Sequence, residues 1–379
     1  MNRRVGVVGA GQLARMMHQA AIGPGIEVVV LANTEDESAA QVARHHVLGS
    51  PDDLDALRRL ATVVDVVTFD HELVDPAHLA ALEAEAHILR PGPGTLETAV
   101  NKLRQRERFA AAGLPLPDWA AVHDFESART FTDDHGWPLV VKSARGGYDG
   151  RGVWICGSEA ELRDVPWDAG THGFVVEEYV PIDKELAGLV VRRTGGESRT
   201  YPIVESVQRD GICHEVIAPA PIEAAIADEA RRITLAVAET VGSIGNLAVE
   251  LFVSKGRVLI NEIAARPHNS GHYSIEGSVT SQFENHLRAV LDWPLGDTAM
   301  TAPAAAMVNI LGQADLPDPL ALIPKALSVE GAHVHWYGKG SRPGRKLGHV
   351  SALGDTPEQA LETARKAASF FAGHTRSDA

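Results

Sequence analysis

Cysteine is almost absent from this chain. Cys156 and Cys213 are the only two, and they stand without the spacing of metal ligands, so neither a disulfide framework nor a zinc site is expected. Long hydrophobic runs are missing as well. Apolar residues make up 45% of the sequence, yet no run approaches the roughly 20 residues that span a bilayer, which excludes a transmembrane helix. The start, Met1-Asn2-Arg3-Arg4 before Val5-Gly6-Val7-Val8, imitates a signal peptide only briefly, because Gly9, Gly11, Gln12 and Arg15 break the run. A cytoplasmic protein is the expectation. Surplus positive charge is the third absence. A net charge of -15 repels a phosphate backbone over most of the surface, so neither nucleic acid nor a membrane is an expected partner. Any phosphorylated ligand must be met by local basic groups.

The 379 residues allow two or three cores, at roughly 100 to 200 residues per domain. Arg4 to Val8, Glu27 to Leu31 and Asp65 to Phe69 read as the buried strands of a parallel α/β unit. Pro91-Gly92-Pro93-Gly94 then punctuates the chain. A helix from about Thr98 to Ala112 is stopped by Gly113, with Pro115 and Pro117 behind it. Leu139 to Glu262 reads as an α+β body of strands with one long helix from about Ile222 to Val241. The stretches Ala302 to Gln313 and Ala332 to Val350 read as a last strand-rich domain, closed by a helix from Pro357 to Phe371.

Several segments carry chemistry. Gly9-Ala10-Gly11-Gln12-Leu13-Ala14 is a strand-to-helix glycine turn of the dinucleotide-binding type, with Glu35 and Asp36 after the second strand, but any βαβ unit uses such a turn for close packing. Lys142 leaves a strand and is followed by Gly146-Gly147-Tyr148-Asp149-Gly150-Arg151-Gly152. Four glycines in seven residues let the backbone close on a triphosphate while Lys142 supplies a point charge. It is not a Walker A loop. The strand Phe174 to Val180 ends in Glu177 and Glu178, and Glu185 opens the next strand, where carboxylates suit ribose hydroxyls.

Leu247 to Val253 and Arg257 to Glu262 read as an antiparallel hairpin with one carboxylate inside each apolar strand. If Gly256 closes a three-residue loop, Val253 pairs with Arg257, Glu250 faces Ile260, and Glu262 lies diagonally on the same face. Such neighbours are about 7 to 8 Å apart, close enough for magnesium on one phosphate chain, with Asn261 as a further oxygen ligand. A slip of one residue would put the two carboxylates on opposite faces. Arg266 follows, placed to neutralise a transferring phosphoryl group, and His268 and His272 are bases or structural residues. Between Lys339 and His349 stand Arg342, Arg345 and Lys346, a dense basic run that suits a phosphorylated substrate in an otherwise acidic chain.

Lys142 with its glycine loop, Glu177-Glu178-Tyr179-Val180, Glu250 and Asn261-Glu262 together resemble the ATP-grasp superfamily. Within it, Gly9 to Leu13, Gly146 to Gly152, Pro267-His268-Asn269-Ser270-Gly271-His272 and Arg342 to His349 are similar to the N5-carboxyaminoimidazole ribonucleotide synthase family. The resemblance implies an α/β and α+β chain with the ATP-grasp fold. Residues 1–97 form an N-terminal Rossmann-like preATP-grasp domain and residues 98–295 the ATP-grasp domain, with a lid at about 115–182. Residues 296–379 form a small strand-rich C-terminal domain that binds substrate.

The same resemblance implies that Lys102, Lys142, Gly147, Tyr148, Asp149, Gly150, Arg151, Gly152, Val153, Glu177, Glu178, Tyr179, Val180, Glu185, Gln208, Asn261 and Glu262 hold ATP. Glu250 and Glu262 would hold magnesium, with manganese able to replace it. Tyr148, Asp149, Arg151 and Arg266 would be catalytic, and Gln12, Leu13, Glu72, Asn269, Ser270, Lys339, Arg345 and Lys346 would surround aminoimidazole ribonucleotide. Bicarbonate is the implied co-substrate, carboxyphosphate the intermediate, and a homodimer the implied assembly. Ala10, Ala14 and Gln208 depart from residues common in relatives, Gly for the first two and His for the third. The rival readings are another ATP-grasp ligase, such as formate-dependent glycinamide ribonucleotide transformylase, a nicotinamide-dependent dehydrogenase, and a silent nucleotide-binding protein.

Overall fold

The structure is a computed structural model that describes residues 3–147, 152–169, 172–313 and 318–372. Its first unit is a parallel sheet of β1 (Arg4–Val8), β2 (Glu27–Ala32), β3 (His45–Leu48) and β4 (Val66–Phe69), in the order β3-β2-β1-β4. Helices α1 (Gln12–Ala21), α2 (Leu54–Thr62) and α3 (Pro76–Ala84) accompany it. Near-continuous Val, Leu and Ala runs make β1, β2 and β4 strands covered on both faces. The edge strand β3, His45-His46-Val47-Leu48, gives no such signal and the sequence reading passes over it.

Two helices follow, α4 (Pro93–Val100) and α5 (Lys102–Ala111), where the sequence suggests one. The chain leaves the helical region at Asn101, whose side chain accepts the Arg104 N–H and caps α5. A small antiparallel sheet comes next, built from β5 (Trp119–Val122), β6 (Leu139–Ser143), β7 (Val153–Cys156) and β8 (Phe174–Glu178) in the order β5-β8-β6-β7. Helices α6 (Phe125–His135) and α7 (Glu159–Arg163) belong to the same unit.

The main sheet has nine strands: β9 (Lys184–Arg192), β10 (Ser198–Thr200), β11 (Val204–Arg209), β12 (Ile212–Ala218), β13 (Gly245–Ser254), β14 (Arg257–Ala264), β15 (Ala304–Leu311), β16 (Ala332–Trp336) and β17 (Lys346–Gly354). Their order is β14-β13-β9-β11-β12-β15-β17-β16, with β10 on β9. The C-terminal strands thus extend the central sheet through the β12–β15 pairing, while a separate core including Leu347, Val350 and Phe371 lies beneath them. Helix α8 (Ala224–Val241) buries Ile233, Val237 and Val241, each worth about 1.5 to 3 kcal/mol of transfer free energy. It lies directly on β9 at Gly188, where a Cβ would stand 1.9 Å from Thr234 Oγ1. Helices α9 (Ser274–Gly277), α10 (Gln282–Val290), α11 (Pro319–Leu327) and α12 (Pro357–Ala368) complete the chain. No helix among the described residues is long and apolar enough to cross a membrane.

Candidate active site

The hairpin β13–β14 brings two carboxylates face to face by a route the sequence hides. Ser254 pairs with Arg257, so the connection is the two-residue turn Lys255-Gly256, with φ of 49° and 76°. Positive φ at both positions is the mark of the type I′ turn that suits strand twist. Val253 therefore pairs with Val258, not Arg257. That one-residue slip alone would turn Glu250 and Glu262 to opposite faces. A second irregularity cancels it. The register shifts between Glu250 and Leu251, leaving Asn261 as the extra residue of a bulge, and Glu250 stands directly opposite Glu262. The expected pairing of Glu250 with Ile260 is corrected, while the shared face remains.

Charge at this hairpin is balanced locally. Lys102, at the start of α5, forms an ion pair with Glu262. Burial works to raise the Glu262 carboxyl, but the Lys102 ammonium holds it below the usual range. Glu250 goes the other way, raised first by burial and then by the facing carboxylates of Glu262 and Glu185. The bulged Asn261 donates to Glu250 Oε2 at 3.4 Å and accepts from Lys142 Nζ at 3.1 Å. With Lys102 paired to Glu262 and Glu250 raised beside it, a bound cation would favour the charged form of both carboxylates.

Beside them, Glu177 is 2% exposed and already committed. Its carboxylate accepts from Arg106 Nε at 2.6 Å and pairs with Lys142 Nζ at 2.8 Å. Burial would raise it, but Arg106 and Lys142 hold it at about 2. Its carboxylate anchors a lysine rather than standing free for ribose hydroxyls, as the sequence reading has it. Arg106, absent from that reading, is the residue that makes the difference.

These groups line a cavity of about 360 Å³. Lys102, Lys142, Gly147, Val153, Glu177 to Val180, Glu185, Gln208, Glu250, Asn261 and Glu262 all reach it, and so do Asn269, Ser270 and Lys346. Gly152 packs next to it with positive φ, so close that an added Cβ would stand 3.3 Å from the Gly147 Cα. Tyr148, Asp149, Gly150 and Arg151 lie outside the described residues. Apolar residues line it as well, Val140, Ile155, Ile182 and Phe252. Ile155 is 62% exposed and Ile182 45% exposed, which suits a slot for a flat ring better than a solvated surface. No sequence signal separates such residues from core positions. Cys213 and Ser206 also reach this cavity, and both cysteines are buried free thiols.

A second cavity, of about 400 Å³, opens at the Gly9-Ala10-Gly11-Gln12 turn. Gln12, Asp36, Asp70, Lys339, Gly340 and Arg345 are among its lining residues, and Lys339 bonds Gln12 across it. Burial lowers the Lys339 ammonium to about 8 against the pull of Asp70. Asp70 closes the α1 N-terminus by accepting the Gly11 N–H at 3.0 Å and the Ala14 N–H at 2.7 Å. A carboxylate thus occupies the place a dinucleotide gives to pyrophosphate, and a Cβ on Gly11 would meet it at 2.3 Å. This removes the main support for the nicotinamide reading.

Residues 1–100 match a ribonucleotide synthetase preATP-grasp domain, residues 107–283 an ATP-grasp domain, and residues 305–363 a phosphoribosylaminoimidazole carboxylase C-terminal domain. The N5-carboxyaminoimidazole ribonucleotide synthase of Mycobacterium tuberculosis is 45% identical over 382 residues, which cover 97% of this chain and 87% of the relative. That of Corynebacterium ammoniagenes is 42% identical, covering 99% and 93%. The chain belongs to the N5-carboxyaminoimidazole ribonucleotide synthase family.

Solved structures of this family agree. The synthetase from Thermus thermophilus superposes with a TM-score of 0.88 at 36% identity, covering 99% of this chain and 100% of that one. The Aspergillus clavatus synthase, in complex with ADP and 5-aminoimidazole ribonucleotide, gives 0.90 at 32% identity, covering 98% and 99%. As a member of the N5-carboxyaminoimidazole ribonucleotide synthase family, the chain is an ATP-binding ligase of purine biosynthesis with the ATP-grasp fold. The formate-dependent alternative is not favoured.

Within this synthase framework the residues assigned to the ribonucleotide separate. Gln12, Lys339 and Arg345 line the second cavity, whereas Asn269, Ser270 and Lys346 line the first. The Leu13 side chain is 5% exposed and packs in the core, so only its backbone at the start of α1 is offered to a ligand. Glu72 and Arg266 reach neither cavity. Arg266 Nε donates to Glu72 Oε2 at 2.6 Å, and the Ala265 N–H donates to Glu72 Oε1 at 3.0 Å, tying the loop after β14 to the end of β4. Arg266 is thus held beside Glu72 on the loop after β14, and its assignment to the transferring phosphoryl group stays an expectation from the sequence. His268 is kept neutral, its pKa lowered to about 3 by burial and then by Arg266 and Lys346. Its Nδ1 lies 2.9 Å from Ser270 Oγ. His272 is wholly buried against Gln282, the structural alternative for that residue.

Proposed function

We propose that this chain couples ATP hydrolysis to carboxylation of the amine of 5-aminoimidazole ribonucleotide by bicarbonate, through carboxyphosphate. The observation that carries the reading is the facing pair Glu250 and Glu262, set with Lys102 and Lys142 at one wall of the first cavity. Bicarbonate oxygen attacks the γ-phosphorus and ADP departs. The carboxyphosphate then passes its carboxyl carbon to the amine, directly or as CO2, releasing phosphate while the amine nitrogen loses a proton.

Lys102 and Lys142 orient the phosphates, the apolar slot beside Ile155 takes the adenine, and Glu185 faces the ribose. Tyr148, Asp149 and Arg151, which lie outside the described residues, are proposed as catalytic on the sequence resemblance alone. Among the described residues no group of three or more His, Cys, Asp or Glu side chains is arranged to hold a metal. Glu250, Glu262 and Asn261 nevertheless suit magnesium, which is commonly held by one or two carboxylates together with substrate phosphates. When bound, the ion supplies charge stabilisation to the transferring phosphoryl group.

ADP release tests this reading. It should require ATP, bicarbonate and the ribonucleotide together, and full activity with formate in place of bicarbonate would overturn it. The second cavity yields a separate expectation. Arg345, half-buried, donates to the Gly340 carbonyl at 3.0 Å and is assigned to the 5′-phosphate. One charge-assisted phosphate contact is worth roughly 1.5 to 3 kcal/mol, so Arg345→Ala should raise the ribonucleotide KM about tenfold to a hundredfold. The ATP KM should stay put. Paired KM measurements decide, and an equal loss for both substrates would remove the phosphate assignment.

A further inference from the structure

Arg106 is a wholly buried charge in the wall between α5, β8 and β14, and neither ligand is assigned to it. Its Nε donates to Glu177 Oε1 at 2.6 Å and its Nη2 to the main-chain oxygen of Asn261 at 2.8 Å. The other Glu177 oxygen lies 2.8 Å from Lys142 Nζ, and the Asn261 side chain accepts from the same Nζ at 3.1 Å. One guanidinium therefore fixes both groups that fix Lys142. Asn261 is the bulged residue of β14, so its main chain has left the regular ladder and its carbonyl is turned toward α5 instead.

Stability alone is a poor reason for this arrangement. Burying an ion is expensive, and a buried ionic cluster is often no better than apolar residues of the same volume. Here two cations share one carboxylate, and Arg106 Nη1 finds no hydrogen-bond partner among the described residues. Lys142 is the cation of this cluster that reaches the cavity wall, where burial lowers its ammonium against the pull of Glu177. A lysine at position 106 would keep the charge but lose the planar fork, whose separate nitrogens meet the carboxylate and the carbonyl in fixed directions.

We infer that Arg106 is a positioning residue for ATP, locking Glu177 and Asn261 so that the Lys142 ammonium is presented to the phosphates at one fixed place. The inference rests on the reading that Lys142 meets those phosphates. Arg106 itself touches no ligand, and its effect on ATP must pass through Lys142.

A double-mutant cycle separates this from a general packing role. Dissociation constants for ATP and for the ribonucleotide are measured by calorimetry in magnesium buffer on wild type, Arg106→Gln, Lys142→Met and the double variant. Arg106→Gln should weaken ATP about tenfold or more, the scale of one charge-assisted contact, with ribonucleotide affinity unchanged. On the Lys142→Met background the same substitution should add nothing. Arg106→Lys should fall between wild type and Arg106→Gln, and it takes the place of Arg106→Gln in the cycle if the latter does not fold. Multiplicative losses in the double variant, or equal losses for both ligands, would make Arg106 a packing residue and overturn the inference. Unchanged ATP binding in Lys142→Met would instead overturn the placement of the phosphates at Lys142, and the inference with it.

Discussion

Glu262→Gln should leave a folded protein that releases ADP at least about a hundredfold more slowly than wild type, the scale seen when one preorganised charge-stabilising group is lost. The substitution keeps the shape of the side chain and removes its charge. Folding should survive, because Glu250 and Glu262 face each other across the ladder and neutralising one relieves the repulsion that raises the Glu250 carboxyl. The Lys102 ammonium loses its ion-pair partner but keeps a place at the cavity wall. The loss therefore falls on the phosphoryl-transfer step. Turnover and thermal unfolding measured on the same preparation check it, and a near-normal kcat would show that Glu262 holds no metal.

Removal of divalent metal should have the second large effect. With a chelator in excess, ADP release should fall to background, and added magnesium or manganese should restore it. A binding readout goes with this. ATP at a hundred times its dissociation constant stabilises a protein by about 2.7 kcal/mol, so the unfolding temperature should rise clearly with ATP plus magnesium. It should rise little with ATP and chelator, because the cation that Glu250 and Glu262 would hold is then missing. Full stabilisation by ATP in chelator would mean that Lys102 and Lys142 suffice, and that the carboxylate pair has another purpose.

Much of the fold is legible because periodicity and composition act locally. The runs at β1, β2 and β4 read as strands within a residue of their observed bounds, and α8 is misplaced by two residues at its start. Carboxylates inside the apolar strands β13 and β14 mark the site for the same reason, since a charge there demands a partner. The register was not legible. A two-residue turn and a bulge at Asn261 each move the pairing by one, and neither leaves a mark in a hydrophobic pattern of period two. The shared face of Glu250 and Glu262 follows from those two shifts cancelling.

Long-range partners were hidden too. Arg106 stands in Lys102-Leu103-Arg104-Gln105-Arg106-Glu107-Arg108, which reads as the solvated face of a helix, yet it is buried against β8 and β14. Glu177 looks like a ligand carboxylate until Arg106 and Lys142 are seen to claim it. Arg266 is held by Glu72, in the loop after β4, a contact of which the sequence gives no sign. In each case the deciding contact joins residues far apart in the chain, beyond the reach of local pattern.

The central claim is that ATP activates bicarbonate as carboxyphosphate before the amine is carboxylated. It is tested most directly with bicarbonate labelled with oxygen-18, supplied together with unlabelled ATP, magnesium and 5-aminoimidazole ribonucleotide, and with the released phosphate analysed by mass. One labelled oxygen per phosphate is the predicted result, because the bond between a bicarbonate oxygen and the γ-phosphorus survives when the carboxyl carbon leaves. Phosphate carrying no label while ADP and the carboxylated product accumulate would contradict it.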